Sequence, residues 1–411
     1  MSMASQGHVV LLRASVNEWN DWRSKNPSIV PDLSGAELGE LNLAGAHLHR
    51  ANLAGAHLTG TRLVGANLTR ASLFRADCGE ANFSRAFLAR ANLSQAELIK
   101  ADLRGADLSV SYLVRSNLSG ANLSGANLRS ANLGQASLFR AVLFRASLNQ
   151  ASLFKADLSE ADLSEASLEG ASLQSATLEK ANLHKAGIFN ANLCSALLVG
   201  ANLENAVLDN CSVYGVSVCG ANVKGTRQND LDIMPVDEPV VTVDDLGAAE
   251  MLGLLVHQEK LQSKVHALEL NAVLIIGGFP PDRKPVLEAV KRALREREYI
   301  PIVMDFQVPG ARNLTETIKI LGRASRFVIA DTTGDAGVSE VLDSIVHYLP
   351  SVPIQPIIGH DHYSPDVARH FRKFSWVLPT YHFGDLEDLA RNLGGSVIGP
   401  AEAKAAEFRK P

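Results

Sequence analysis

The stretch ANLSGANLRSANLGQASL, residues 121–138, brings back an Ala every five residues and a Leu two positions after it. An amphipathic helix repeats its apolar residues at a spacing near 3.6 and a strand at 2, so a period of five fits neither. Stepping by five from Leu33 reaches Val223 without a slip. Of these 39 centres 33 are Leu, and the others are Cys78, Phe83, Ile188, Val213, Val218 and Val223. Two positions before the centre the residue is mostly small, and from Ala121 to Ala206 it is always Ala. The position just before the centre is most often Asn, Asp or Ser, and the remaining two vary freely.

Two constrained positions in five predict two buried side chains per unit. Leu123 and Leu128 are expected inside, with Asn122 and Ser124 exposed. Each unit must then turn so that its Leu faces inward. A solenoid achieves this, because one unit alone buries nothing while stacked units share a continuous core. Pro is absent from Asp32 through Met234, as an unbroken backbone ladder requires.

The pattern resembles the pentapeptide-repeat family, A(D/N)LXX, over residues 31–226. The resemblance implies a right-handed quadrilateral β-helix with four units per coil. Thirty-nine units then make about ten coils, a rod roughly 47 Å long at ~4.8 Å between stacked strands. Residues 1–30 include VNEWNDWRSKNP, in which Trp19 and Trp22 share a helix face and Asn26-Pro27 ends the pattern. This segment is expected to be a helical cap over the first coil.

Some members of the family protect DNA gyrase by imitating DNA, which carries one charge per ~1.7 Å of axis. The repeats here hold 16 acidic and 16 basic residues, a balance that argues against a DNA-mimic topoisomerase-binding protein. The charges are unevenly placed: residues 50–145 hold twelve Arg or Lys and five acids, and residues 155–209 hold three Lys and eight acids. With four units per coil, Arg50, Arg70 and Arg90 stack into one outward column, read either as a solvated basic edge or as a small anionic docking site. Phe74, Phe139, Phe144 and Phe154 each follow a centre and precede Arg or Lys. They are read either as an exposed interface or as rings shielded by their neighbours.

The whole chain has 411 residues and a net charge of −5, a balance that argues against direct nucleic-acid binding. It contains no run of 18 apolar residues, so no membrane span is expected. The N-terminus lacks a basic-then-apolar signal pattern, and Cys78, Cys194, Cys211 and Cys219 show no zinc or CxxC spacing. A cytoplasmic protein is expected.

After Val223 the repeat decays. Residues 227–270 read as a polar, Pro-containing linker followed by a connector helix. From residue 271 apolar strands alternate with helices: AVLIIGG, IPIVMDF, RFVIADTT, VPIQPIIG and WVLPTYHF, with helical runs between them. That alternation predicts an α/β three-layer domain with a parallel sheet over 271–411. Ligands of such sheets bind at the carboxyl ends of the strands. There the sequence offers Gly277, Gly278, Phe279, Asp305, Asp331 and Thr332 as a nucleotide crevice, with Glu340 at the start of the next helix expected on the same rim. Phe279 or Phe306 would supply an apolar wall and Arg283 or Lys284 would help hold a phosphate. No GxGxxG or P-loop is present. His360 and His362, in GHDHY, lack a third metal ligand and read as a polar loop.

This region is similar to Toll/interleukin-1-receptor (TIR)-like domains and to nucleoside 2-deoxyribosyltransferases, in the order of its elements, the Asp closing the second strand, and IADTT followed by a Glu. Enzymes of those families cleave an N-glycosidic bond in NAD or a nucleoside with a Glu that stabilises or attacks the oxocarbenium-like centre. Glu340 is the matching residue. In the relatives that Glu directly precedes a Leu, where this chain has Val341, and a shift of one residue turns a helical side chain by about 100°. The SxxCxxE arrangement of active TIR hydrolases is missing. The resulting expectation is an interaction and signalling scaffold that needs no cofactor, binds protein partners or a second copy of itself, and accepts NAD or another nucleotide at most as a ligand. The alternative is an NAD glycohydrolase or nucleoside-processing effector using Glu340.

Overall fold

The computed structural model describes residues 5–235, 238, 240–257, 271–306, 314–334, 336–360 and 373–408. The chain divides into two compact units, Met1–Gln228 and Asn229–Pro411.

The first unit begins with helices α1 (Gln6–Ala14) and α2 (Val16–Lys25). Ser15 caps α2 by accepting from Glu18 N. Trp19 and Arg23 on α2 are buried, and the Trp19 and Trp22 rings lie 5.3 Å apart. Trp19 Nε1 donates to His47 O (3.0 Å), and Asn20 both donates to Gly45 O and accepts from His47 N. The helix pair is thus stitched to the first coil.

From Asp32 onward each unit contributes one short bridge, always to the residue twenty positions on: Asp32↔Asn52↔Ser72, and so on to Asn202↔Asn222. Twenty residues per coil is four units per coil, a solenoid of four walls. Three of the bridges widen into the short parallel strands β1 (Gly187–Phe189), β2 (Val207–Asp209) and β3 (Arg227–Asn229). Every centre from Leu33 to Leu208 is at most 1% exposed.

Two features of the coil explain positions that the five-residue pattern left open. The Asn or Asp before each centre accepts, through its side chain, the backbone N–H two residues on, as Asn122 does from Ser124 (3.0 Å) and Asp157 from Ser159 (3.0 Å). Asn122 and Ser124 are therefore half-buried rather than exposed. The residue two after each centre has positive φ in all 39 units, thirteen of them Gly and twenty-six not. The corner of the coil demands the left-handed conformation, so this position is not free. It tolerates Arg, Glu, Lys or Gln because the repeated ladder holds them there.

The second unit contains a seven-stranded sheet in the order β10-β9-β8-β6-β7-β5-β4. Strands β6 (Ala272–Gly277), β7 (Ile300–Asp305), β8 (Phe327–Asp331), β9 (Ile354–Gly359) and β10 (Tyr381–Phe383) are parallel, as the alternating pattern predicts. The rest corrects the linker reading of 227–270. Residues Leu231–Asp232 (β4) and Val241–Val243 (β5) add two antiparallel strands beside β7. The signal was the alternation in VTV, whose two Val are buried and whose Thr is not. Proline and acidic neighbours obscured it. Helix α3 (Leu246–His257) follows, and the remainder of the expected connector helix lies outside the described residues.

Helices α4 (Lys284–Arg295), α5 (Leu314–Ala324), α6 (Ala336–Val346), α7 (Leu386–Asn392) and α8 (Gly399–Phe408) complete the unit, with a π-helical turn over Leu393–Ile398. All six residues of β6 and of β9 are buried, so both faces of the sheet are covered. One face packs Val273, Ile275, Val303 and Ile329 against Val290, Leu294, Leu389 and Val397. The edge hairpin is tied to α4 by charge. Lys291, 1% exposed, pairs with Asp230 (2.6 Å) and Asp244 (3.4 Å), and Arg295 also pairs with Asp244. Burial works against the Lys291 ammonium, yet Asp244 and Asp230 hold its pKa above the usual lysine value.

Candidate functional site

On the rod, the corner position two after the centre places Arg50, Arg70 and Arg90 one above another at φ of 60°, 59° and 60°. Their backbone N–H groups donate to Thr69 O, Ala89 O and Ser109 O at 2.9–3.0 Å, so the coil spacing fixes the spacing of the column. The side chains line an open groove of about 550 Å³ together with His49, Asn67 and Thr69. Among the described residues none of the three guanidiniums has an ion-pair partner. Other corner arginines are engaged by the residue one coil on: Arg75 by Gln95 (2.7 Å), Arg115 by Gln135 (2.9 Å), Arg140 by Glu160 (2.7 Å) and Arg145 by Glu165 (2.6 Å). A second groove of about 570 Å³, not foreseen from the sequence, lies over Arg62, Arg85 and Arg104. Arg104 is paired there with Asp102 at 2.6 Å.

The four Phe residues do not come together. The twenty-residue coil puts Phe74 and Phe154 on one wall, Phe139 on the next and Phe144 on a third. Each ring is half-buried beneath the cation that follows it: Arg75 over Phe74 (5.0 Å), Arg140 over Phe139 (4.8 Å), Arg145 over Phe144 (4.8 Å) and Lys155 over Phe154 (5.1 Å). Of the two readings this geometry matches shielding. The strongly exposed rings of the rod are instead Phe87 (53%) and Tyr112 (52%). They escaped notice because they stand before the centre, where Asn or Asp is usual.

In the second unit the sheet order places a topological switch between β6 and β8, and Gly277, Gly278, Phe279, Asp305, Asp331 and Thr332 all lie at or just past the carboxyl ends of β6, β7 and β8. Their side chains are largely committed. Phe279 is 3% exposed and folds back over Gly277, where an added Cβ would meet the ring at 2.6 Å. Its N–H donates to Asp305 Oδ1 (3.2 Å). Asp331, 2% exposed, accepts from Thr333 N (3.1 Å) and Thr333 Oγ1 (2.6 Å), and its other oxygen accepts from Arg283. Thr333 Oγ1 in turn accepts from Gly359 N (2.9 Å), and Thr332 Oγ1 donates to Ile357 O (3.2 Å). Arg283 stacks 5.6 Å from the Phe383 ring centre. Arg283, expected to help hold a phosphate, is thus occupied by a carboxylate of the chain itself.

Glu340 lies on the helix that follows β8. It is exposed on α6, two residues from each of the buried Val338 and Leu342, which at about 100° per residue sets it on the opposite side of the helix. Glu340, expected on the crevice rim, thus stands on the exposed side of α6. His360 is exposed, and His362 lies outside the described residues. Among the described residues no three His, Cys, Asp or Glu side chains cluster as metal ligands, and no helix is long and apolar enough to cross a membrane.

A family model of pentapeptide repeats matches residues 32–70, 71–109, 111–145, 151–186 and 189–225. Among solved structures, HetL of the cyanobacterium Nostoc sp. strain PCC 7120, described as a pentapeptide repeat protein involved in heterocyst differentiation regulation, is 35% identical, with 48% of this chain and 92% of HetL covered and a TM-score of 0.30. A second Nostoc pentapeptide repeat protein, alr5209, is 42% identical over 21% of this chain and 69% of its own, with a TM-score of 0.20. One from the thylakoid lumen of Arabidopsis thaliana is 31% identical over 26% of this chain and 66% of its own, with a TM-score of 0.19. No curated protein sequence matches. With 92% of HetL covered at 35% identity, and the repeat model recurring from residue 32 to residue 225, this chain belongs to the pentapeptide repeat family.

Proposed function

We propose that the chain is a cytoplasmic interaction and signalling scaffold. The rod presents surfaces to protein partners, and the second unit, TIR-like in its order of elements, supplies self-association or nucleotide sensing. The observation that carries this reading is the filled interior of the rod, with its centres at most 1% exposed from Leu33 to Leu208. A solenoid packed to that degree has only its walls to offer, and the walls differ from coil to coil while the core does not. The equal numbers of acidic and basic residues in the repeats speak for protein partners rather than nucleic acid. None of the four cysteines forms a disulfide, which suits a reducing compartment. The scaffold role calls for no cofactor; NAD or another nucleotide would be a ligand of the second unit. The switch between β6 and β8 supports the nucleotide reading. The exposure of Glu340 disfavours the glycosidic-bond hydrolase.

The test places a photo-cross-linking residue on each wall of the rod in turn, in the full chain within cells. Residues 54, 84, 119 and 149 are wall positions one after a centre. Cross-links to a specific protein from one wall and not the others are expected. Labelling that is equally sparse on all four walls would overturn the scaffold reading.

A further inference from the structure

The arginine groove is lined largely by hydrogen-bond donors. Arg50, Arg70 and Arg90 carry no ion pair among the described residues, whereas four other corner arginines are engaged by the residue one coil on. The groove also takes in an imidazole whose state is set from outside. Arg23 of the cap donates to His49 Nε2 at 2.8 Å and to His49 O at 3.2 Å. Because a guanidinium can only donate, Nε2 must accept, and the ring keeps its hydrogen on Nδ1. Burial, then the neighbouring charges of Arg23, His47 and Arg50, lower the His49 pKa below the usual value. The neutral ring keeps one donor, Nδ1–H, beyond its contact with Arg23. The two groups that can also accept are the hydroxyl of Thr69 and the amide of Asn67, and Asn67 Oδ1 is taken by Thr69 N (3.1 Å).

A donor-rich groove of stacked guanidiniums fits a ligand that only accepts, and a carboxylate matches the guanidinium fork. The cations stack at the coil spacing, ~4.8 Å, so three of them span roughly 10 Å. That is the reach of a few residues of extended chain. The column then stops. One coil beyond Arg90 stands Val110, 42% exposed, and one coil beyond Asn67 stands Phe87, 53% exposed. An exposed aromatic beside arginine is the composition of a protein interface. A nucleic acid would meet this column on a rod whose repeats carry no net charge.

We propose that the Arg50–Arg70–Arg90 groove docks an acidic segment of a partner protein, an extended stretch with two or three carboxylates followed by an apolar side chain. This deepens the scaffold reading and rests on it.

The probe is a fluorescein-labelled peptide of four Glu and a Trp, with its Gln counterpart as control, titrated into the full chain. Arg50→Gln, Arg70→Gln and Arg90→Gln are suitable variants, since Gln95, Gln135 and Gln150 already occupy the same left-handed corner position. The acidic peptide is expected to bind and the Gln peptide not. Each single variant should weaken binding about three- to tenfold, the triple variant should abolish it with an unchanged melting temperature, and Arg70→Lys should retain part of it. Raising salt from about 50 to about 300 mM should weaken binding as well. Arg145→Gln, at a corner where the arginine is already paired with Glu165, should leave binding unchanged. Undiminished binding by the triple variant overturns the proposal. So does absence of binding to the wild type, or displacement of the peptide by inorganic triphosphate or a single-stranded oligonucleotide more readily than by unlabelled peptide. Sedimentation showing a wild-type dimer that the triple variant lacks would assign the groove to a second copy instead, and overturns it too. If walls elsewhere on the rod cross-link a partner while the groove binds no peptide, this proposal fails and the scaffold reading stands.

Discussion

Arg283 and Asp331 face each other across the carboxyl ends of the sheet, 16% and 2% exposed, with a guanidinium nitrogen donating to the carboxylate. The pair lies where a parallel sheet would receive a ligand, and it is reinforced by Thr333 on the carboxylate and Phe383 beside the guanidinium. A buried charge left without its partner is far more costly than the pair itself is favourable. Arg283→Met should therefore destabilise the second unit by about 3–5 kcal/mol. Asp331→Asn should cost less, because an amide oxygen still accepts from Thr333 and the freed guanidinium can reach water. Chemical denaturation of the two single variants and the double variant checks this. A double variant as unstable as the sum of the singles would show the groups to be independent.

Leu128 sits in the middle of the rod at 0% exposure. Leu128→Ala removes a packed side chain where the neighbouring coils cannot close up, at a cost of about 2–5 kcal/mol. Leu128→Lys should disrupt the coil outright. Thermal melting followed by circular dichroism distinguishes the two, and an unaltered melt for the Lys variant would be incompatible with an inward-facing Leu.

Gly125 occupies a corner at φ 64° with nothing within 4 Å of the position its Cβ would take. Any cost of Gly125→Ala is then conformational rather than steric, about 1 kcal/mol. Gly125→Asn should cost less, since Asn tolerates this conformation and Asn190, Asn205 and Asn210 adopt it at other corners. Denaturant midpoints of the two variants, ranked Asn above Ala, are the expected result.

Legibility from sequence follows the repetition. The rod could be read because each Leu centre restates the same constraint, so one misplaced residue among many changes nothing. The corner conformation could not, because a requirement that Arg, Glu, Gln and Gly all satisfy leaves no uniform residue type behind. The parallel strands of the second unit were visible as apolar runs, whereas the edge strands β4 and β5 are two and three residues long and sit among acids and Pro235. In the crevice, strand ends disclosed which residues gather but not their partners. Arg283 and Asp331 are 48 positions apart, and no local pattern announces that one neutralises the other.

Asp232 on the edge strand β4 adds a pH dependence. Burial pushes its carboxyl up to about 6, although N–H groups of Met234 and Val241 pull the other way. The folded form thus holds the proton more tightly than the unfolded chain, with its ordinary value of 3.8. The stability this contributes is complete below pH 3.8 and is lost as pH rises through about 6. The loss should be on the order of 2 kcal/mol for the second unit. Asp232→Asn, whose amide oxygen can still accept from Met234 N, should flatten that slope. Denaturation at pH 4, 5, 6 and 7 checks it, and equal slopes for wild type and variant would contradict the assignment.

A glycosidic-bond hydrolase needs its carboxylate within reach of the anomeric carbon, in a site that holds the sugar and limits water. Glu340 stands on the outer side of α6, with Val338, Leu342 and Ile345 turned to the core, and Asp331 is bound to Arg283. Neither carboxylate is placed to attack or to stabilise an oxocarbenium ion. The purified chain should therefore leave NAD intact, whether dispersed or deliberately clustered on a bivalent antibody, since assembly brings chains together without turning Glu340 around its helix. Glu340→Gln should behave as the wild type does in both states. Chromatographic detection of released nicotinamide is the readout, with an added authentic glycohydrolase as positive control. Turnover by the clustered wild type that vanishes in Glu340→Gln would mean that the helix rotates or unwinds on assembly, and would replace the scaffold reading of the second unit with an enzymatic one.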